Sequence, residues 1–112
     1  MGKRRYVEKK MPVEEAKMRH TQFRMEQRYG YWMRKNAILK MADLCRCGRY
    51  CCHLGEQRTR AKIVIRYKHM LIPLIYDKKL DCIITVLTMN MLSDRERAMV
   101  EAAGALTVEI AS

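Results

Sequence analysis

The chain has 112 residues, the size of one ordinary domain, and can bury a modest core without metals or disulfides. Its 23 Lys and Arg against 12 Asp and Glu give a net charge of +11, which attracts polyanions such as a phosphate backbone. Five cysteines are an odd number, and no basic start precedes an apolar run, so a cytoplasmic protein is expected rather than a secreted disulfide scaffold. The longest apolar stretch, 70–76, contains Pro73 and is too short to cross a bilayer, so no membrane partner is expected.

The positive charge is concentrated in the N-terminal part of the chain. Residues 1–49 carry 14 Lys and Arg against 5 Asp and Glu, a net of +9, whereas residues 50–112 carry 9 against 7, a net of +2. A solvated surface would explain scattered charge, but this asymmetry favours a polyanionic partner. Residues 1–11 have almost no apolar pattern and are predicted to be a flexible basic arm that precedes a single α+β domain over residues 12–112.

Two helices are predicted before residue 50. Pro12 suits a first helical position, and no helix breaker follows until Gly30, so the first helix is expected over about 12–28. Apolar residues at helical spacing over 36–47 predict a second helix. It is expected to begin before this pattern, near Trp32, and Gly48 is its expected C-terminal stop.

From Tyr50 onward, β-branched and alternating residues between short polar turns predict an antiparallel meander. The expected strands are 50–54, 61–67, 70–76 and 82–88, with Pro73 at a bulge or an exposed edge. Ser93 and Glu96 have the spacing of a capping box, which opens a helix ending at Gly104, and residues 106–110 are a possible further strand. The predicted fold is α+β: two N-terminal helices packed on a three- to four-stranded antiparallel sheet, with a short C-terminal helix.

A polar stripe lies along the first predicted helix. His20, Arg24 and Arg28 recur every four residues, which places them on one helix face. An imidazole can move protons and guanidinium groups can hold a phosphate, the functions that RNA cleavage through the 2′-hydroxyl requires. A solvated helix face is the alternative for these three residues. Thr85 and Thr88 in the last strand point to opposite faces, so one of them can face a site, although a solvent-facing threonine is equally expected from strand propensity.

Further basic residues are candidates for contact with nucleic acid. Aromatic residues 29, 31 and 32 alternate with basic ones, as in proteins that stack bases beside a charged groove, although core packing is expected for Trp32. The candidate nucleic-acid-binding residues lie in the arm, after the first helix and at both ends of the second strand: Lys3, Arg4, Arg5, Arg34, Lys35, Arg58, Arg60 and Arg66. Lys68, near Arg66, would extend the same basic track.

Four cysteines and a histidine cluster at Cys45, Cys47, Cys51, Cys52 and His53. Thiolates and imidazole are zinc ligands, but a C-x-C followed by adjacent cysteines is not the paired C-x-x-C spacing of a typical site. Small buried hydrophobic residues are therefore the favoured interpretation, no metal site or cofactor is assigned, and zinc binding stays open.

Two short motifs resemble those of a known family. The helix motif His-Thr-x-Phe-Arg-Met-x-x-Arg-Tyr-Gly spans 20–30, and Tyr76-Asp77 precedes Ile-Ile-Thr-Val-Leu at 83–87. This combination resembles small bacterial and phage proteins related to the BrnT and RelE type toxins, within the barnase, EndoU, colicin and RelE ribonuclease fold. The resemblance covers residues 18–90.

The resemblance implies an RNA-binding, toxin-like protein in the cytoplasm of a bacterial or phage-infected cell. The activity it implies is metal-independent cleavage of RNA, either free or at the ribosome. Its implied catalytic residues are His20, Arg24, Arg28 and Thr85, which favours Thr85 over Thr88. No second histidine is selected as a partner for His20 by spacing. The alternative is a catalytically inactive phage-type effector that inhibits a host protein through its basic surface, and a host or antitoxin protein is a possible partner.

Overall fold

A computed structural model of the chain describes the backbone over residues 13–111 and the side chains over residues 15–103. Helices α1 (Val13–Tyr29) and α2 (Lys35–Arg46) precede strands β1 (Cys52–Gln57), β2 (Arg60–Tyr67), β3 (Met70–Asp77) and β4 (Cys82–Val86). A 3₁₀ turn at Met89–Met91 leads into α3 (Asp94–Ala111). The α+β fold predicted from the sequence is confirmed.

The strands form one antiparallel sheet in the order β1-β2-β3-β4, so each strand pairs with its neighbour in sequence. Pro73 lies in the central strand β3 and not at an edge or a bulge as expected. Its carbonyl accepts a 2.7 Å hydrogen bond from the Leu87 amide, just beyond the last β3-β4 pair, Leu74 with Val86. The nitrogen and the carbonyl oxygen of one strand residue point to the same side. The N–H that Pro73 lacks would therefore face β4 at a position where the β3-β4 ladder has already ended.

Helices α1 and α2 cover one face of the sheet. Met25 of α1 and Met41 of α2 are fully buried in a core with alternate strand residues such as Ile63, Leu74 and Ile83. Buried residues recur along α1 every three or four positions, as an amphipathic helix requires. Gln22 on that side donates a 2.9 Å hydrogen bond to the Met33 carbonyl and so fixes the loop between the helices.

Helix α3 packs on the opposite face, beside β1, where Val100 and Leu92 contact Val64. Its start has the predicted capping box: the Glu96 amide donates to Ser93 Oγ at 3.1 Å and the Ser93 amide donates to Glu96 Oε1 at 3.0 Å. The helix continues through Gly104 to Ala111, so the expected stop at Gly104 and the possible strand at 106–110 are wrong. One glycine costs a helix only about 1 kcal/mol, which a long helix tolerates.

The turns show why the elements end where they do. At the end of α2, Gly48 has φ +73°, and the Gly48 and Arg49 amides donate to the Cys45 and Leu44 carbonyls at 3.3 and 2.8 Å, a Schellman motif. The β2-β3 hairpin turns on Lys68 and His69, both with positive φ. A type I′ turn requires this conformation, although glycine and asparagine adopt it more easily.

Candidate nucleic-acid interface

The predicted stripe on α1 is present. His20 is exposed, and its pKa is held below the ordinary value by burial and by the neighbouring positive charges of Arg24 and Arg28. A lowered pKa keeps the imidazole neutral near pH 7, as a proton acceptor must be. The three side chains therefore lie close enough to interact electrostatically, as the spacing of four predicted.

Arg24 and Arg28 have different surroundings. The Arg24 guanidinium donates to Gln27 Oε1 at 2.6 Å and lies 5.7 Å from the ring centroid of exposed Phe23, so it stays on the solvent side of α1. Arg28 Nη1 instead donates to the Val86 carbonyl of β4 at 2.6 Å. Arg28 is thus partly committed to holding the helix on the sheet.

Two neighbours of Arg28 also attach α1 to β4. The Tyr29 hydroxyl donates to the Leu87 carbonyl, and burial raises the pKa of Tyr29 to about 12. Thr21, fully buried, has its hydroxyl 3.3 Å from the Ile83 carbonyl. Because β4 is an edge strand, these donors satisfy carbonyl groups at an edge that would otherwise be unpaired.

Thr85 lies on the other face of the sheet. It pairs with Ile75, which lines a hollow together with Lys62 and Glu96 of α3. Paired strand residues point to the same face, so Thr85 points away from the face on which α1 packs. The structure therefore groups His20, Arg24 and Arg28 with one another but separates their helix from Thr85 by the thickness of the sheet.

A second group of side chains lies where β2 ends and α1 leads into α2. We call it the aromatic end and define it as Tyr31, Trp32, Arg34, Tyr67 and Lys68. The Tyr31 and Tyr67 ring centroids are 6.3 Å apart at an interplanar angle of 53°. Lys68 Nζ lies 5.3 and 5.7 Å from these two centroids and donates to the Tyr31 hydroxyl at 3.2 Å.

The electrostatics of the aromatic end are consistent with this contact. The hydrogen bond from Lys68 lowers the pKa of Tyr31, and the same bond raises the pKa of Lys68. Burial and the Tyr31 hydroxyl raise the pKa of Tyr67. Arg34 is close enough to lower the pKa of both Tyr31 and Lys68 through its charge.

Trp32 is 52% exposed, so its expected core packing is wrong. It precedes α2, which begins at Lys35 and not near Trp32, and the neighbouring Met33 fills the core position instead. Trp32 follows Tyr31 in the chain, and its exposed indole offers a planar surface on which a base can stack.

The remaining predicted contact residues divide between the two ends of β2. Arg60 lies 3.5 Å from buried Asp77, and exposed Arg58 occupies the β1-β2 turn, whereas Arg66 is at the opposite end beside Tyr67. At about 3.3 Å per residue, Arg60 and Tyr67 are about 23 Å apart. Lys35 pairs with Glu15 at 3.6 Å. Lys3, Arg4 and Arg5 lie outside the described residues.

Lys68 was expected from the sequence to extend the basic track, whereas Tyr67, Lys40 and Arg49 were not among the candidates. The signal for Tyr67 was its place in the run Arg66-Tyr67-Lys68, where a strand leads into a hairpin turn. Lys40 and Arg49 had no such signal, because only the fold brings them next to Arg66.

The cysteines have varied environments. Cys45 is buried in the main core, where burial raises its pKa to about 12, whereas Cys47 is exposed. Cys51 and Cys52 pack partly against the smaller core under α3. In the part of the chain that is described, no three His, Cys, Asp or Glu side chains are arranged to hold a metal ion.

Among residues that the structure describes, no helix combines the length and apolarity needed to cross a bilayer. Comparisons of the chain with protein-family models, with curated proteins and with solved structures found no match.

Proposed function

We propose that the protein binds single-stranded RNA through the aromatic end. The observation that carries the proposal is the packing of Tyr31 and Tyr67 against Lys68, with the charge of Arg34 close by. Trp32, the residue after Tyr31, is exposed. Unpaired bases stack on aromatic rings, and adjacent cations hold the backbone. The preference for RNA over DNA comes from the resemblance of the α1 and β4 motifs to toxin-type ribonucleases.

The distribution of ion pairs supports this surface. Within residues 15–103, several carboxylates pair with cations elsewhere: Lys78 with Glu56, Lys62 with Glu96, and Arg46 with Asp43 and Asp81. No ion pair to a described carboxylate involves Arg34 or Lys68. These charges are available to phosphate groups, and their mutual repulsion is relieved when an anion binds.

The test is the affinity of the full chain for a fluorescently labelled single-stranded RNA, measured by anisotropy at several salt concentrations. Trp32→Ala is expected to weaken binding about tenfold, since one stacked base contributes about 1–3 kcal/mol. Lys68→Ala is expected to weaken it by a similar factor, because a charge-assisted hydrogen bond to phosphate contributes about 1.5–3 kcal/mol. Lys78→Ala is the matched control, because it removes an exposed lysine that already pairs with Glu56. Unchanged affinity in both test variants, with the control equally unaffected, contradicts the proposal.

Metal-independent RNA cleavage is a second candidate function, and it is supported by His20 at one end of the α1 stripe, followed by Arg24 and Arg28. His20 would accept the 2′-hydroxyl proton, and Arg24 would stabilise the charge that develops on the phosphate. Because the pKa of His20 is lowered, its basic form persists at a more acidic pH than that of an ordinary histidine. The position of Thr85 does not support its joining this group.

Cleavage is tested with a structured RNA, and with translating ribosomes, in the presence of a chelator. We expect loss of activity in His20→Ala and in Arg24→Ala, and no cleavage of an RNA in which a 2′-deoxy nucleotide replaces the scissile one. If the unaltered protein binds RNA but does not cleave it, the cleavage function is excluded and the RNA-binding function remains. A host protein retained from nuclease-treated lysate, with no RNA binding, favours the alternative of a protein-inhibiting effector.

A further inference from the structure

A basic hollow lies beside the end of β2 that extends past the β1 ladder. It has a volume of about 470 Å³ and is lined by Lys40, Leu44, Arg49, Tyr50, Cys51 and Arg66. The ladder of β1 with β2 begins at the pair Cys52 and Val64, so the last residues of β2 have no strand on this side. The space is therefore a consequence of unequal strand lengths.

Three cations and no carboxylate line this hollow. A second hollow, of about 420 Å³ over the opposite end of the sheet, has Lys62 and Arg60 but also Glu56 and Glu96, and Lys62 pairs with Glu96 at 3.1 Å. The charges of the second hollow are thus compensated within the protein. Those of the basic hollow are not, which makes it the better match for an external anion.

The side chains determine which anion fits. Two guanidinium groups can each bind a phosphate through two parallel hydrogen bonds, and an ammonium group adds a point charge. A phosphodiester carries one negative charge, whereas a phosphomonoester carries about −1.5 to −2 at pH 7 and so compensates three cations better. Leu44 and the ring of half-buried Tyr50 supply apolar surface for the sugar or base attached to that phosphate.

The basic hollow and the aromatic end meet at the end of β2. Arg66 lines the hollow, and the next two residues, Tyr67 and Lys68, belong to the aromatic end. Arg66 pairs with Leu71 and points to the face that carries α3, whereas Tyr67 pairs with Met70 and packs on the α1 and α2 face. One strand of RNA contacts both surfaces only by passing around the end of β2, with its terminal phosphate in the hollow and its following bases on the aromatic side chains.

We propose that the basic hollow of Lys40, Arg49 and Arg66 binds the terminal phosphomonoester of a single-stranded RNA. The proposal rests on the proposed function of the aromatic end and adds recognition of an RNA terminus. The two surfaces have separate residues, so each can be altered without the other.

The test compares the affinities of the full chain for one short oligouridine with a 5′-phosphate, with a 3′-phosphate and with hydroxyl groups at both ends. We expect one phosphorylated form to bind about tenfold more tightly than the hydroxyl form, the effect of one or two charge-assisted hydrogen bonds. In Arg49→Ala and Arg66→Ala this preference is expected to disappear, while affinity for the hydroxyl form falls no more than about twofold. Lys79→Ala, an exposed lysine in the β3-β4 turn, is the control and is expected to keep the preference.

Equal binding of all three RNAs, or a preference that survives both arginine substitutions, overturns this proposal while the aromatic-end proposal stands. No binding of any of the three overturns both. Thermal unfolding of each variant shows whether it is folded. If either alanine variant unfolds, Arg49→Gln and Arg66→Gln replace it, since they keep the side-chain bulk and remove the charge.

Discussion

Arg24 and Arg28 occupy successive turns of one helix face, yet the structure gives them different roles. Arg28 donates to the Val86 carbonyl, whereas Arg24 contacts Gln27 and Phe23 of its own helix. Arg28→Ala is expected to lower the free energy of unfolding by about 1–2 kcal/mol, the contribution of a hydrogen bond from a charged group, and Arg24→Ala by less than about 0.5 kcal/mol. Urea denaturation of the two variants checks this. Equal stabilities would mean that Arg28 is not an anchor.

At the scale of single residues, Asp77 makes the stability of the folded protein depend on pH. Its buried carboxylate accepts hydrogen bonds from the Lys79 and Leu80 amides at 2.9 and 3.0 Å and from Thr59 at 3.3 Å, and it lies 3.5 Å from Arg60. The hydrogen bond from the Leu80 amide is the largest cause that holds its pKa below the ordinary value.

A lowered pKa in the folded state stabilises the protein above the ordinary aspartate pKa of about 3.9, and this stabilisation is lost as the pH falls through the folded value. Asp77→Asn is expected to cost about 2 kcal/mol at pH 7 and to reduce the fall in stability between about pH 4 and pH 2. The measurement is the urea midpoint at each pH. An identical acid response in the variant would show that other carboxylates determine it.

At the scale of elements, the meander followed from the sequence because each of its central strands has its own pattern. β2 and β3 are rich in β-branched and apolar residues, and their observed bounds differ from the predicted ones by only one residue. β1 was predicted too early, at 50–54, because its polar end, Glu56-Gln57, has no strand pattern of its own and is a strand only by pairing with β2. Pairing is not visible in a local pattern.

The two turn residues of the β2-β3 hairpin adopt a backbone conformation that they do not favour on their own. Lys68 and His69 both adopt positive φ, which costs a non-glycine residue about 1–2 kcal/mol. His69→Gly is expected to stabilise the protein by about 1 kcal/mol and to leave RNA affinity unchanged. The double variant Lys68→Asn/His69→Gly is expected to be at least as stable but to bind RNA about tenfold more weakly, because Lys68 is lost.

Thermal unfolding and anisotropy of these two hairpin variants separate the turn's stability from its function. A double variant that binds RNA as tightly as the unaltered protein would show that Lys68 has no functional reason to occupy this turn.

For the whole molecule, the sequence indicated the sign of the surface charge. It did not indicate where on the surface the cations without a carboxylate partner would cluster. The stripe on α1 followed from spacing, since a helix face is a property of one element. The aromatic end combines the α1-α2 loop with the β2-β3 hairpin, which are more than thirty residues apart in the chain, as the contact between Tyr31 and Lys68 shows. The position of Thr85 depends on register, because a one-residue shift would reverse its face.

The salt dependence of RNA binding is predicted from the cations of the two surfaces. These are Arg34 and Lys68 in the aromatic end and Lys40, Arg49 and Arg66 in the basic hollow. For single-stranded RNA each neutralised phosphate contributes about −0.7 to the slope of log affinity against log salt, so one phosphate at Arg34, one at Lys68 and one in the basic hollow predict about −2. Lys68→Ala is expected to make the slope less steep by about 0.7, and Lys78→Ala to leave it unchanged. A slope near zero would mean that the basic charge does not contact the RNA backbone.

The most direct test of the RNA-binding surface is an NMR titration of the full chain with a short single-stranded RNA, with resonances followed residue by residue. We predict shifts at Tyr31, Trp32, Arg34, Tyr67 and Lys68, with Lys62, Thr85 and Glu96 unaffected. Shifts confined to Lys62, Thr85 and Glu96, with the aromatic end unchanged, would contradict the account.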